Sequence, residues 1–203
     1  MRFLGKKYQN IEIMTAISEL EKPISIQQSP TLPKTLAEFL EWEPEDGFKY
    51  EWNDGEVIQF NGMDIKQLFI FEAINDLFIE KGIWKKGTLI AEQNVMLNGI
   101  QLRRPDIAYF TKLQVKQGKS GQQEIPEFVI EIISTNDKSY KIEEKLTEYF
   151  KVGVRVVWNI YPETKLIYVF TARKTVKICM EDDVCSAAPV LPEFEIKVSE
   201  ILG

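Results

Sequence analysis

The chain has 203 residues, 44% of them hydrophobic and 28% charged, which suits one globular domain with a sizeable core and argues against two independent ones. Histidine is absent. That excludes histidine-based triads and the usual zinc ligand sets, so acid–base or metal chemistry must run on carboxylates, lysine or water. A net charge of −6 argues against a protein that coats nucleic acid, but not against one that gathers carboxylates around a cation.

No run of about 18 apolar residues occurs, so no membrane span is expected. The N-terminal segment lacks an uninterrupted apolar stretch and a small-residue cleavage site. Cys179 and Cys185 stand without a partner motif and read as free thiols, which points to a reducing, cytoplasmic setting. Basic residues gather at Lys85 and Lys86, at Arg103 and Arg104, and at Lys112, Lys116 and Lys119. Such clusters meet phosphates in some proteins and are plain solvated surface in others; the charge alone decides neither.

In chain order, residues 1–34 read as an extended arm that leads, through Ser29-Pro30-Thr31-Leu32-Pro33, to a domain over 35–203. Thr35 is a capping residue, and the apolar spacing after it predicts a short helix over 35–42. Residues 48–52 and 56–58 form a predicted hairpin, with Asp54-Gly55 supplying the positive φ angles of a tight turn. A helix is predicted over 65–79. Its apolar residues go nearly all round, so cover on more than one side is expected, from the sheet and from a second subunit.

Strands are predicted over 88–97 and 102–110, with Asn98-Gly99 turning between them, and a polar loop over 112–124. Residues 128–133 read as a buried strand interrupted by one carboxylate, Glu131. An amphipathic helix over 139–152 carries Ile142, Leu146, Tyr149 and Phe150 on one face and ends at Gly153. Strands over 154–160 and 166–171 flank a turn at Pro162, and the tail returns through 194–198 to a short final turn. This order predicts an α/β domain on one central sheet with helices on its faces.

Two carboxylates stand out. Asp106 follows Pro105 at the head of a strand, and Glu131 sits in an apolar one, where a charge is costly to bury unless paired or metal-bound. On adjacent antiparallel strands the two would repel, and a divalent cation would resolve that repulsion while acting as a Lewis acid. Oxygen ligands favour magnesium or manganese over zinc. The alternatives are a turn role for Asp106 and an arginine partner for Glu131.

A lysine two residues after the glutamate would leave the same face of the strand, but Ile133 stands there. Lys145 offers a substitute. On a wheel of about 100° per residue it lies about 60° from Ile142 and about 40° from Tyr149, so it borders the core-facing stripe. It could reach the end of the sheet from there, or snorkel with its stem on the core.

Arg104-Pro105-Asp106, then Pro126 through Ser134 with Glu131, then Asp137, Lys145, Tyr149, Gly153-Val154 and Trp158 together resemble the Uma2 family. These restriction endonuclease-like proteins, also called DUF820, are abundant in cyanobacteria. The Tyr50 to Glu56 hairpin and the Leu191-Pro192-Glu193-Phe194 ending are similar to it as well, and the resemblance spans about residues 35 to 203. It implies the PD-(D/E)XK nuclease, or restriction endonuclease-like, fold, with a central mixed sheet flanked by helices, a divalent metal (magnesium or manganese) and commonly a homodimer. The family's acidic pair falls on Asp106 and Glu131, its helix lysine on Lys145 and its hairpin glutamate on Glu51. A histidine usually opens the family's long helix; here Lys66 or Gln67 stands near that place.

The expectation is therefore metal-dependent hydrolysis of DNA phosphodiester bonds, with Asp106 and Glu131 on the metal, Lys145 on the water or the developing charge, and Glu51 nearby. The alternative is a dimeric domain that keeps the nuclease fold without the activity.

Overall fold

The computed structural model describes residues 32–203, so the predicted arm over 1–34 lies almost wholly outside the described residues. Helix α1 (Leu36–Glu41) starts at Thr35, whose hydroxyl accepts from the Glu38 N–H. Such a cap contributes about 1 kcal/mol. Strands β1 (Lys49–Asn53) and β2 (Glu56–Phe60) form the predicted hairpin, and Asp54 (φ 45°) and Gly55 (φ 94°) take the left-handed conformations that its turn needs.

Helix α2 (Ile65–Glu80) begins with a reciprocal cap between Asp64 and Gln67. Cover on several sides was the expectation for it. Within the described chain only Ile70, Ile74 and Phe78 are buried, while Ile65, Leu68, Phe69 and Ile79 are exposed.

Each strand predicted next is cut in two. Residues 88–97 divide into β3 (Gly87–Ala91) and β4 (Val95–Asn98), which belong to different sheets. The chain turns between them at Glu92, whose φ is 49°. Residues 102–110 divide into β5 (Gln101–Arg103) and β6 (Ile107–Thr111). The gap holds Pro105, which has no N–H for a ladder.

In place of the polar loop, helix α3 (Lys112–Gly118) forms behind a Thr111–Gln114 capping box. None of its residues is buried, so it leaves no apolar period in the sequence. Strand β7 (Phe128–Ile132), helix α4 (Ser139–Lys151) and strands β8 (Val156–Tyr161) and β9 (Leu166–Ala172) lie close to their expected places. Gly153 (φ 104°) ends the α4 segment.

Strands β10 (Thr175–Met180) and β11 (Val184–Ala187) have no counterpart in the sequence reading. The end of the chain forms β12 (Leu191–Lys197) and α5 (Val198–Leu202).

The central sheet has six strands in the order β10-β9-β8-β7-β6-β3. It is mixed, because β7 and β8 run parallel while the other pairs are antiparallel. The parallel pair needs a crossover, and α4 supplies it. The single sheet expected is accompanied by a four-stranded sheet, β2-β1-β5-β4, and by a β11-β12 pair.

Strand alternation sorts the core into two layers. On one face Phe128, Ile130 and Ile132 pack with Ile74 and Phe78 of α2, with Trp158, and with Phe194 of β12. The Trp158 and Phe194 rings stack at 5.8 Å, nearly parallel. On the other face Ala108, Val129 and Val157 pack against Leu146 and Tyr149 of α4. Glu131 lies two residues from Val129, and Asp106 two from Ala108, so both acidic residues share the face that α4 covers. Phe39, Tyr50, Trp52 and Leu102 form a third cluster around the hairpin.

Candidate active site

Strands β6 and β7 pair antiparallel with Ile107 opposite Ile130. Continuing that register by two residues sets Ile132 opposite Pro105, which lies outside the strand. The Asp106 side chain takes the vacant place: its Oδ2 accepts from the Ile132 N–H at 2.6 Å. Asp106 therefore does have a turn-like setting, and it also faces the cleft.

Glu131 is one residue back along β7. Its Oε1 accepts from the Tyr149 hydroxyl at 2.5 Å, and its Oε2 lies 3.6 Å from the Lys145 ammonium. Its cationic partner is thus a lysine, where an arginine was the alternative. Lys145 also reaches Glu51 of β1, 2.9 Å from Oε1. Glu51 in turn accepts from the Arg104 N–H at 2.9 Å and from the Arg103 guanidinium at 3.1 Å. The structure brings together Glu51, Asp106, Glu131 and Lys145 on the wall of one cleft of about 590 Å³.

Burial, and then the charge of Glu131, push the Asp106 pKa up to about 8, against a pull downward from the Ile132 N–H and Lys145. Burial likewise raises Glu131, although Lys145 and the Tyr149 hydroxyl oppose it. Burial alone would raise Glu51, yet the charges of Lys145 and Arg103 hold it below the ordinary range. The same carboxylates overcome the burial of Lys145 and raise its pKa, so it stays protonated. At neutral pH the Asp106–Glu131 pair thus favours keeping a proton.

A divalent cation could replace that proton, and hard carboxylate oxygens suit magnesium or manganese. Among the described residues no three of Cys, Asp and Glu converge as a metal cage. Two carboxylates still fit magnesium, which is commonly held by one or two and keeps several waters.

The sequence reading missed three contributors. Arg103 belongs to a basic cluster in the sequence, but it is buried, with Nε 2.6 Å from Glu148 Oε2 and Nη2 2.8 Å from Glu148 Oε1. It is a core counter-charge, not a phosphate contact. Tyr149 stands in the core-facing stripe and in the Uma2-like motif without a role for its hydroxyl; its spacing of four from Lys145 on one helix face is the available signal. Gln67 lines the cleft and donates to the Ile132 carbonyl at 2.7 Å, whereas Lys66 is exposed and pairs with Glu163.

The Uma2 family, described as "Putative restriction endonuclease", matches residues 36–199. The chain belongs to the Uma2 family. Its Uma2 segment holds every residue of the cleft named above. A solved structure described as "a putative nuclease belonging to DUF820 from Anabaena variabilis ATCC 29413" is 20% identical, with a TM-score of 0.68 over 84% of this chain and 98% of that one. The two share a fold. The type IIG restriction endonuclease BpuSI matches at 12% identity and a TM-score of 0.40, over 70% of this chain and 17% of its own. No curated protein matches the chain.

Proposed function

We propose that this Uma2 chain is a magnesium-dependent endodeoxyribonuclease, with manganese as a substitute ion. The observation that carries the reading is the sharing of the Lys145 ammonium between Glu51 and Glu131, beside Asp106, in one open cleft.

Asp106 and Glu131 would hold the cation. When bound, such an ion supplies Lewis acidity toward a phosphoryl oxygen and makes water a stronger nucleophile. The residues of the chain do the rest. Asp106 is fixed by the Ile132 N–H and Glu131 by Tyr149, so neither carboxylate must reorganise on binding. Lys145 keeps its proton and can orient a water or stabilise charge that develops on the phosphate. Glu51 sets the reach of Lys145, and Arg103 balances Glu51 from beneath.

The Uma2 match supports DNA as the substrate class. The exposed Ile65, Leu68 and Phe69 of α2 support a homodimer. The buried free thiols of Cys179 and Cys185 suit a cytoplasmic setting, and no described helix is long and apolar enough to cross a membrane. The opposing reading, a domain that keeps the fold without the chemistry, draws on Ile133 where a lysine is expected. Lys145 answers it by standing over Glu131 from α4.

The test is cleavage of supercoiled DNA with magnesium, with EDTA, and by Asp106→Ala with magnesium. Nicking that requires both magnesium and Asp106 supports the reading. Equal activity in all three ends it.

A further inference from the structure

Ile132 stands at the point where β7 loses its neighbour. Both of its backbone groups face the β6 side, since the next residue, Ile133, donates to Ile160 of β8 on the other side. Continued two residues beyond the Ile107–Ile130 pair, the register reaches Ile132 and Pro105. A proline cannot donate to the Ile132 carbonyl, and an unpaired carbonyl beside the core is costly.

Gln67 meets that need. Its Nε2 donates to the Ile132 carbonyl at 2.7 Å, and its Oε1 accepts from the Asp64 N–H at 2.9 Å. Making both bonds takes a donor and an acceptor on one side chain, and the primary amide of Gln67 supplies the two on one rigid group. Leucine would do neither, glutamate only the accepting half, and lysine only the donating half. Two side chains therefore stand in for the missing ladder partner: Asp106 on the Ile132 N–H and Gln67 on its carbonyl. The peptide group that donates to Asp106 joins Ile132 to Glu131, whose side chain lines the cleft.

We propose that Gln67 is a positioning residue. It ties the end of β7 to the first turn of α2, and so keeps the Ile132 N–H on Asp106 and Glu131 under Lys145. The inference rests on the nuclease reading where it concerns the cation. Where it concerns the strand, it stands on the hydrogen bonds alone.

The test compares Gln67→Met with Asp64→Ala in the full chain. Both break the capping box of α2, but only the first removes the donor to Ile132. Amide hydrogen exchange without metal is expected to quicken about fivefold over residues 131–134 in Gln67→Met, with the Phe78 region unchanged. Manganese affinity measured by calorimetry is expected to fall about tenfold or more in Gln67→Met and to stay near wild type in Asp64→Ala. Wild-type exchange at 131–134 in Gln67→Met overturns the proposal. So does equal loosening by Asp64→Ala, because the helix cap would then be the cause. If the wild type binds no manganese, the metal reading fails, and the exchange measurement still decides the role of Gln67.

Discussion

The Tyr149 hydroxyl donates to Glu131 across 2.5 Å, from the face of α4 that also carries Lys145 one turn earlier. One carboxylate is thus held by a neutral donor on Oε1 and a cation on Oε2. This division fixes the Glu131 side chain without consuming all of its lone pairs.

Tyr149→Phe removes the neutral donor and leaves a buried oxygen unsatisfied. Hydrogen bonds to charged groups contribute about 1.5–3 kcal/mol, and urea denaturation is expected to show a loss near the middle of that range. A loss below about 0.5 kcal/mol would mean that water replaces the hydroxyl.

Arg103→Met removes the cation paired with the buried Glu148 and leaves Glu51 with Lys145 alone. Removing one partner from a buried ion pair costs about 3–5 kcal/mol. Arg155, which pairs with Glu127 at half-exposed positions, provides the contrast. Its replacement by alanine is expected to cost at most about 1 kcal/mol. Chemical denaturation of both variants checks the difference.

Without metal, stability is expected to fall as pH rises. Burial and Glu131 raise the Asp106 pKa from 3.8 to about 8, so across that interval the native state keeps a proton that the unfolded chain has released. Fewer protons bound in the unfolded state means stability declines with pH through this window. Glu131, Glu51 and Lys145 share the cleft, and Glu51, whose pKa is lowered, acts in the opposite sense at the acid end. Thermal melts in EDTA at pH 5 and pH 8 are expected to give the lower midpoint at pH 8. Asp106→Asn is expected to flatten the difference, and manganese at pH 8 to restore the wild-type midpoint.

Lys145→Met separates binding from chemistry. Removing the ammonium beside Glu131 takes away a like charge that competes with a cation. Manganese is therefore expected to bind at least as tightly as in wild type, while DNA cleavage falls by about 100-fold or more. Loss of both together would make Lys145 a structural support for the carboxylates.

Much of this architecture was legible as one-dimensional pattern. The Asp54-Gly55 hairpin, the α2 and α4 helices and the β7 strand follow from turn chemistry and apolar period, which are local properties. The strand breaks were less visible. Pro105 announced one, but Glu92 takes a left-handed conformation that its residue type does not advertise. Helix α3 hid because it buries nothing, and β10 because its residues are nearly all exposed.

For the site, the chain by itself determined which chemistry was available: no histidine, an acidic residue after a proline, and a glutamate inside an apolar strand. It could not determine which partners those groups would have. Glu51 is 80 positions from Glu131 in the numbering, Arg103 of β5 meets Glu148 of α4, and Gln67 of α2 meets the Ile132 carbonyl at the end of β7. Pairing between distant segments depends on register and on helix-to-sheet packing. Those are set by the burial of the whole core at once, so only the tertiary structure decided which charges are balanced and which remain open to a ligand.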